Sequence, residues 1–258
     1  MRVVLTLLIC VASVLAGPAR HGGQRIVGGE VTTIDNYPYA AAMLYEFYPQ
    51  VFGQNCGGAI LNEKSILSAA HCYSEDKTDP RKWRIRVGST FASSGGQVHD
   101  VVQLINHPEY NPNTFNNDIA VILLETYIVF NDLVKQAQIA GPNYILQVDD
   151  PIWSIGWGID DVGSQSEQLK QAEKRVFSLE TCQANFPFTK ITDNMLCVGS
   201  DNAVGTCTGD SGGPNMHNNI IVGVTSFGLP ICGQAGKPAV TARVSSYVAW
   251  IQDNVFTN

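Results

Sequence analysis

Short alternations of apolar and polar residues recur along the chain and predict β-strands. Residues 83–87 read Trp-Arg-Ile-Arg-Val, the period of two expected for a strand with one buried face. Apolar runs at 119–124 and 220–224 are bounded by Asn, Asp or Gly and indicate buried strands. Because 24 glycines and 12 prolines interrupt the chain at short intervals, the pattern predicts an all-β sandwich or barrel.

Only the C-terminus carries the period of an α-helix. The apolar residues that recur at i, i+4, i+7 and i+11 are Val244, Val248, Ile251 and Val255. Ser245 or Ser246 can cap the first turn, so the spacing predicts a helix over about residues 245–256. The polar stretch 131–151, which contains a Gly-Pro pair, is expected to connect two halves of similar size.

Composition places the chain among globular proteins rather than disordered ones. Of its 258 residues, 45% are hydrophobic and 15% are charged, and the formal net charge is −7. An acidic chain without a run of basic residues is poorly suited to bind nucleic acid, so no nucleic-acid partner is expected.

The first 16 residues have the features of a secretory signal peptide. Arg2 supplies the positive charge, and residues 3–15 are apolar apart from Thr6 and Ser13, a stretch too short to span a bilayer. Cleavage is expected after Ala16. No later segment is long enough to cross a membrane, so we expect a secreted, extracellular protein without a membrane partner.

The cysteines agree with export to an oxidising compartment. Cys10 falls in the expected signal peptide, and the remaining six are Cys56, Cys72, Cys182, Cys197, Cys207 and Cys232. An even number in an exported chain implies disulfides, although the sequence alone leaves their connectivity open. Because no Cys-x-x-Cys pair is present, we expect neither a zinc nor a redox site, and no cofactor.

The run Gly-Asp-Ser-Gly-Gly at 209–213 is the strongest chemical signal in the chain. It fits the G-x-S-x-G elbow of α/β-hydrolases, but that fold alternates strands with helices and places a histidine far downstream of the serine. The only histidine after Ser211 is His217, so the elbow is rejected. A second pattern needs His, Asp and Ser in that chain order, and His71 (in Ser-Ala-Ala-His-Cys) and Asp118 (in Asn-Asn-Asp-Ile-Ala) supply the first two.

With these motifs the sequence resembles the chymotrypsin-like serine proteases (the trypsin/chymotrypsin family, peptidase S1) and, within them, insect gut trypsins. The resemblance begins at Arg25-Ile26-Val27-Gly28-Gly29, includes Cys56-Gly57-Gly58 and Gly156-Trp157-Gly158, and extends to the final helix. It implies an all-β fold of two antiparallel six-stranded barrels packed together, at about 26–135 and about 145–240, within a protease domain at 26–258 that ends in the helix.

The resemblance also implies the chemistry of peptide-bond hydrolysis through an acyl-enzyme, with Ser211 as nucleophile. A serine hydroxyl is a weak nucleophile at neutral pH and needs a base within hydrogen-bond reach, a role implied for His71. Asp118 is implied to orient the imidazole and to stabilise its charged form. The backbone N–H groups of Gly209 and Ser211 are expected to form the oxyanion hole.

Arg25-Ile26 resembles a zymogen cleavage point, with residues 17–25 as the activation peptide. Cleavage frees the amine of Ile26, and the resemblance implies that this charge pairs with Asp210 beside the nucleophile. Because an unpaired buried carboxylate is costly, the pair is expected to order the oxyanion hole and the substrate pocket together. The resemblance pairs the cysteines as Cys56–Cys72, Cys182–Cys197 and Cys207–Cys232.

The substrate pocket implied by the family, here called the specificity slot, is formed by Gly205, Thr206, Ser226, Phe227, Gly228 and Ala239. Trypsins place an aspartate where Gly205 stands, and none of these residues is acidic. A Lys or Arg side chain would lose its hydration there without gaining a counter-ion. We therefore expect cleavage after uncharged apolar or aromatic residues, with Phe, Tyr, Leu or Met favoured over Ala or Val.

The sequence thus predicts a monomeric, digestive serine endopeptidase that acts on protein or peptide substrates. Because the slot rejects arginine, a separate trypsin-like protease is the expected activator, and protein protease inhibitors are further candidate partners. Residues 89–99 lack carboxylates, so we expect no calcium or other metal. The alternative is a catalytically silent homologue that acts as a binding protein.

Overall fold

Two closed β-barrels account for most of the chain in the computed structural model, which describes residues 28–159 and 163–257. After a short strand β1 (Glu30–Val31), the first barrel contains β2 (Ala40–Tyr48), β3 (Val51–Asn62), β4 (Ser65–Ser68), β5 (Trp83–Val87), β6 (Gln97–Asn106) and β7 (Ala120–Leu124). Neighbours are antiparallel in the order β2-β3-β4-β7-β6-β5, and β5 closes the ring against β2.

The second barrel is built from the C-terminal half of the chain. Its strands and the short β8 that flanks them are β8 (Gln138–Ile139), β9 (Pro151–Gly156), β10 (Lys170–Phe177), β11 (Met195–Ser200), β12 (Pro214–His217), β13 (Ile220–Phe227) and β14 (Lys237–Arg243). An antiparallel ring closes in the order β9-β10-β11-β14-β13-β12, while β1 pairs with β10 and β8 lies parallel to β13. The predicted pair of antiparallel six-stranded barrels is confirmed.

The alternation that predicted strands corresponds to the side chains that fill the barrels. In β5, Trp83, Ile85 and Val87 are buried while Arg84 is exposed. The apolar run at 119–124 supplies β7, which is buried along most of its length. Alternate residues fill the interior of a small closed barrel, and closure leaves no unpaired strand edge.

Two short α-helices lie outside the barrels. The sequence pattern does not reveal α1 (Leu179–Asn185), because it has only seven residues and buries only Cys182. Its start is marked by Ser178, whose Oγ accepts a hydrogen bond from the Thr181 amide at 3.1 Å. The predicted C-terminal helix is present as α2 (Val248–Asn254) but is shorter than expected.

The residues expected to begin the C-terminal helix form a 3₁₀ turn instead, Val244–Ser246. Tyr247 stands at the N-cap position of α2 without a side-chain capping bond, so neither Ser245 nor Ser246 caps the helix. Tyr247 is held there by tertiary contacts, because its hydroxyl donates to Asn117 Oδ1 at 3.2 Å and its ring is buried.

Three disulfides join the cysteines as the resemblance implies, and this prediction is confirmed. Cys56–Cys72 ties β3 to the turn that carries His71, and Cys207–Cys232 joins the two segments on either side of the specificity slot. By closing loops, these bonds restrict the unfolded chain and stabilise the fold. Within the described ranges, no helix is long and apolar enough to cross a membrane.

Replacing Ile251 with alanine is expected to lower the free energy of unfolding by about 2–5 kcal/mol, because this buried side chain docks α2 on the core. The measurement is chemical denaturation of the protein in a Ser211→Ala background, which removes the predicted nucleophile. Gln252→Ala, at an exposed position of the same helix, is the control and is expected to change stability by less than about 0.5 kcal/mol. Equal effects of the two substitutions would show that α2 does not pack as described.

Candidate active site

His71 and Asp118 meet on the first barrel, between β4 and β7. His71 lies in the 3₁₀ turn Ala70–Tyr73 that follows β4, and Asp118 lies just before β7. The ring Nδ1 of His71 is 2.7 Å from Asp118 Oδ2, and the backbone amide of His71 donates to Asp118 Oδ1 at 2.8 Å. Because Nδ1 binds the carboxylate as donor, Nε2 of the neutral ring is free to accept a proton.

Asp118 is buried and receives a further hydrogen bond from the second barrel. The hydroxyl of Ser226, on β13, donates to Asp118 Oδ2. The sequence placed Ser226 at the edge of the specificity slot, whereas its side chain turns towards Asp118 and Ser226 is not among the residues that line the slot cavity. Nothing in the local sequence distinguishes a serine with this role from an ordinary strand residue.

Ser211 lies in the turn between β11 and β12, which packs against the first barrel. Its carbonyl accepts a hydrogen bond from the Gly57 amide at 2.7 Å. A Cβ atom on Gly212 would lie 2.3 Å from Ser68 Oγ and 3.1 Å from the Ala69 amide, so only glycine permits this approach to the segment that leads into His71.

In the described structure, the Ser211 hydroxyl makes no hydrogen bond to His71. Catalytic hydrogen bonds are often long in the absence of substrate and tighten when it binds. Both side chains are partly exposed, and the Asp118 side chain behind them is fully buried. The arrangement therefore leaves the Ser211 and His71 side chains accessible to a substrate from solvent.

Two backbone donors beside Ser211 lack a protein acceptor. The amides of Asp210, Gly212 and Gly213 are hydrogen-bonded, whereas those of Gly209 and Ser211 have no acceptor within the described ranges. Gly209 has φ +97°, a conformation that favours glycine. Two unpaired N–H groups at this turn are what an oxyanion hole requires.

Sequence analysis missed Gln54, whose side chain hydrogen-bonds to the turn that contains Gly209 and Ser211. Its buried side chain lies on β3, and Nε2 donates to the carbonyl of Gly209 at 2.7 Å and to that of Cys56 at 2.9 Å. The first barrel therefore fixes the backbone next to the two free donors. No motif marks Gln54 in the sequence.

Asp210 is buried behind the nucleophile. Its carboxylate accepts hydrogen bonds from the amides of Gly158 at 2.8 Å and Cys207 at 2.9 Å. Burial raises the pKa of Asp210 to about 6, an effect opposed by these hydrogen bonds and by the positive charges of Lys174 and Lys170. No ion pair formed among the described residues includes Asp210.

The Gly-Trp-Gly motif is explained by the same carboxylate. A Cβ atom on Gly156 would lie 2.1 Å from an oxygen of Asp210, and one on Gly158 would lie 2.5 Å from its carboxyl carbon. Side chains at either position would displace the carboxylate, so the motif keeps space for Asp210. Arg25 and Ile26, with the expected signal and activation peptides at 1–16 and 17–25, lie outside the described residues.

Four of the six predicted slot residues line one small cavity of about 30 Å³, and these are Gly205, Thr206, Gly228 and Ala239. No carboxylate of the described residues lines it. A Cβ atom on Gly228 would already lie in van der Waals contact with the Ala239 Cβ, at 3.6 Å. Because a substrate atom needs about 3.5–4 Å from each wall, a side chain cannot pass between these two residues unless they separate.

Phe227 does not line this cavity, contrary to its predicted place at the slot edge. Its ring packs against Phe115 and Phe186, with centroids 5.2 and 5.3 Å away. Phe115 also contacts the His71 ring edge-on at 5.9 Å. These rings form an apolar wall beside the imidazole, and the slot lies elsewhere.

Lys174 is a slot residue that the prediction omitted. It lies on β10, is buried, and its side chain lines the cavity that contains Gly205 and Ala239. Burial lowers the pKa of Lys174 to about 8, although Asp210 acts in the opposite direction. The alternation of residues could have predicted its burial, because Lys174 occupies the same strand face as Ala172 and Val176, which are buried.

Asn215 is a buried polar residue whose side chain belongs to a hydrogen-bond network. Its Nδ2 donates to Thr225 Oγ1 at 2.9 Å, and its Oδ1 accepts from the hydroxyl of Ser154. These contacts join β9, β12 and β13 behind the Ser211 turn, so an asparagine there is fully hydrogen-bonded rather than a misplaced polar group.

The described residues contain one cluster with metal-ligand atoms in reach of one another, Cys56, His71 and Cys72. Both cysteines belong to one disulfide and cannot present thiolates. The histidine is already bonded to Asp118, so this cluster does not fit a metal ion.

Comparison with known proteins finds relatives along nearly the whole chain. A family model described as Trypsin matches residues 26–251. The chain is 48% identical to trypsin CFT-1 of Choristoneura fumiferana and 44% identical to trypsin, alkaline B, of Manduca sexta, over 98% of this chain and 100% of each relative. The structure of neuropsin, a serine protease expressed in the limbic system of mouse brain, aligns with 32% identity and a TM-score of 0.78 over 88% of this chain and 99% of that one.

Replacing Lys174 with methionine is expected to change how stability depends on pH. The pKa of Lys174 is 10.5 in its ordinary state and about 8 when buried, so between these values the unfolded chain holds a proton that the folded chain lacks. The stability of the parent protein therefore rises with pH across this window. The variant lacks this dependence, so its stability relative to the parent is expected to fall by about 3 kcal/mol from neutral pH to pH 10.5.

The measurement is denaturant unfolding of Ser211→Ala protein, with and without Lys174→Met, at several pH values. A stability difference that stays constant across the alkaline range would contradict the buried placement of this charge.

Proposed function

Because the chain belongs to the trypsin family of serine proteases and is a serine endopeptidase, we propose that it is a secreted, digestive zymogen that cleaves after uncharged residues. Its disulfides agree with an oxidising compartment. The observation that carries the proposal is the buried Asp118–His71 pair, which lies near a turn that contains Ser211 and two amides without an acceptor among the described residues.

In the proposed reaction, the Ser211 hydroxyl attacks the carbonyl carbon of the scissile peptide bond while His71 Nε2 takes its proton. Asp118 keeps the imidazole oriented and balances its positive charge. The amides of Gly209 and Ser211 bind the oxyanion that develops on the substrate carbonyl. His71 then protonates the leaving amine, and water hydrolyses the acyl-enzyme by the same steps in reverse.

The specificity we propose rests on what the slot lacks. With Gly205 at its base and no carboxylate in its lining, a Lys or Arg side chain would be desolvated without a counter-ion. The sequence favoured large apolar and aromatic residues over small ones. The close approach of Gly228 and Ala239 opposes that preference, and small uncharged side chains such as Ala and Val fit without separating the walls.

Activation is proposed to occur by cleavage of Arg25-Ile26 and pairing of the new amine with Asp210. The buried Asp210 carboxylate has backbone hydrogen bonds but no ion pair within the described chain, so it has capacity for one cation. Because the slot excludes arginine, a separate trypsin-like protease is the proposed activator. Protein inhibitors that occupy the same site are further proposed partners, and the protein acts as a monomer.

Hydrolysis of peptide substrates that differ only at the residue before the cleaved bond tests this proposal. Protein is activated with immobilised trypsin, which is then removed, and Ser211→Ala protein treated in the same way reports any trypsin left behind. We expect kcat/KM for Ala or Val to exceed that for Arg or Lys by about 10³-fold or more. Preferred cleavage after Arg would refute the specificity, and no hydrolysis at all would identify a silent, binding homologue.

Ser226→Ala is expected to reduce kcat by about 10- to 100-fold with KM nearly unchanged, because one hydrogen bond to the charged Asp118 is lost. Ser226→Thr, which keeps a hydroxyl, is expected to recover part of the loss. Steady-state kinetics on the best peptide substrate provide the measurement. A change confined to KM would instead place Ser226 in substrate binding.

A further inference from the structure

We propose that Lys174 is a second determinant of substrate specificity, whose buried ammonium group repels cationic side chains and favours carboxylates at the base of the slot. The inference rests on the proposed function, since it concerns the same slot. The proposed function explains the rejection of Lys and Arg by the missing aspartate at Gly205. The further inference adds a second cause, the positive charge of Lys174.

The strand geometry places Lys174 inside the second barrel. Its neighbours on the same face of β10, Ala172 and Val176, are buried, whereas the intervening Glu173 is exposed. The Lys174 side chain lines the slot together with Gly205. It therefore belongs to the wall of the slot rather than to the protein surface.

The ammonium group of Lys174 has no hydrogen-bond partner among the described residues. Its Nζ is buried and is one of few buried side-chain atoms in the described ranges without one. Native proteins rarely leave a buried polar atom unpaired, and a buried cation without an acceptor is more costly still. A cation in this state favours a ligand group that can accept a hydrogen bond or balance its charge.

The protein supplies only partial compensation for this charge. Asp210 attracts Lys174, but its two carboxylate oxygens already accept hydrogen bonds from Gly158 and Cys207. Lys174 also borders a second, larger cleft, where Asp149 and Asp201 are paired with Arg175. Asp210, Asp149 and Asp201 are therefore committed to other partners, and Glu173, the neighbour of Lys174 in the strand, is exposed on the opposite face.

A positive charge in a desolvated cavity acts strongly on a charged substrate group. At the separations found within one small cavity, repulsion of an ammonium or attraction of a carboxylate changes binding by at least about 10-fold. For side chains long enough to reach the base once the walls separate, the favoured substrates are peptides with a neutral or acidic residue before the cleaved bond. Restoring an acid elsewhere in the slot would not by itself admit lysine, because Lys174 would pair with that acid.

The test compares pairs of substrates within one enzyme, so that the fraction of folded protein cancels. Ala239→Gly is introduced first, to let long side chains enter. The two enzymes compared are Ala239→Gly and the double variant Ala239→Gly, Lys174→Met. For each, kcat/KM is measured for one pair of peptides with Lys or Met before the cleaved bond and a second pair with Glu or Gln there. Lys174→Met is expected to raise the Lys/Met ratio and to lower the Glu/Gln ratio, each by about 10-fold or more.

Lys190→Met is the matched control, because Lys190 is exposed and does not line the slot. Both ratios are expected to change by less than about 2-fold, since solvent screens this charge. Lys174→Gln, which removes the charge but keeps a polar group, is expected to act like Lys174→Met. Unchanged ratios in both Lys174 variants would overturn the inference. Failure of the Ala239→Gly enzyme on all of these peptides, together with failure of the parent enzyme on the Ala and Val peptides, would instead count against the proposed function.

Discussion

The buried carboxylate of Asp118 links the two barrels through hydrogen bonds at the candidate active site. It accepts hydrogen bonds from the ring and the backbone of His71, on the first barrel, and from Ser226, on the second. A buried charge is stable only when such partners surround it, so Asp118 constrains the positions of both barrels at once. The turn that contains Ser211 is placed by the same junction, because the carbonyl of Ser211 accepts a hydrogen bond from the Gly57 amide and the carbonyl of Gly209 accepts one from Gln54.

Further charges are buried in the second barrel, and their arrangement separates two tasks. Asp210 is stabilised by backbone amides and lies directly beside the nucleophile, so any cation that it binds acts on the oxyanion turn. Lys174 faces the slot without a partner and acts on the substrate instead. Because both groups lie in one desolvated region, the protonation of each affects the other, and activation and specificity share an electrostatic environment.

The alternation of Trp83, Ile85 and Val87 with polar residues predicted an all-β fold, and the family resemblance implied its two six-stranded barrels. Sequence analysis also proposed His71, Asp118 and Ser211 as the catalytic residues, since each lies in a distinctive local motif, and the structure brings His71 and Asp118 into contact. Sequence analysis missed features that depend on tertiary contacts. Ser226 reaches Asp118 across the barrel junction, the 3₁₀ turn at Val244–Ser246 replaces the first turn of the expected helix, and Ala239 narrows the slot only because Gly228 stands opposite. None of these three features changes the spacing of apolar residues, which is what the sequence analysis uses to predict structure.

The central claim is that Asp118 holds His71 as the base that activates Ser211. The most direct measurement is the rate of covalent labelling by a small fluorophosphonate, with the modified residue located by mass spectrometry, in trypsin-activated parent protein and in Asp118→Asn. The account predicts labelling of Ser211 alone in the parent, and labelling at least about 100-fold slower in Asp118→Asn. Equal rates in the two proteins, or a label on another residue, would contradict it.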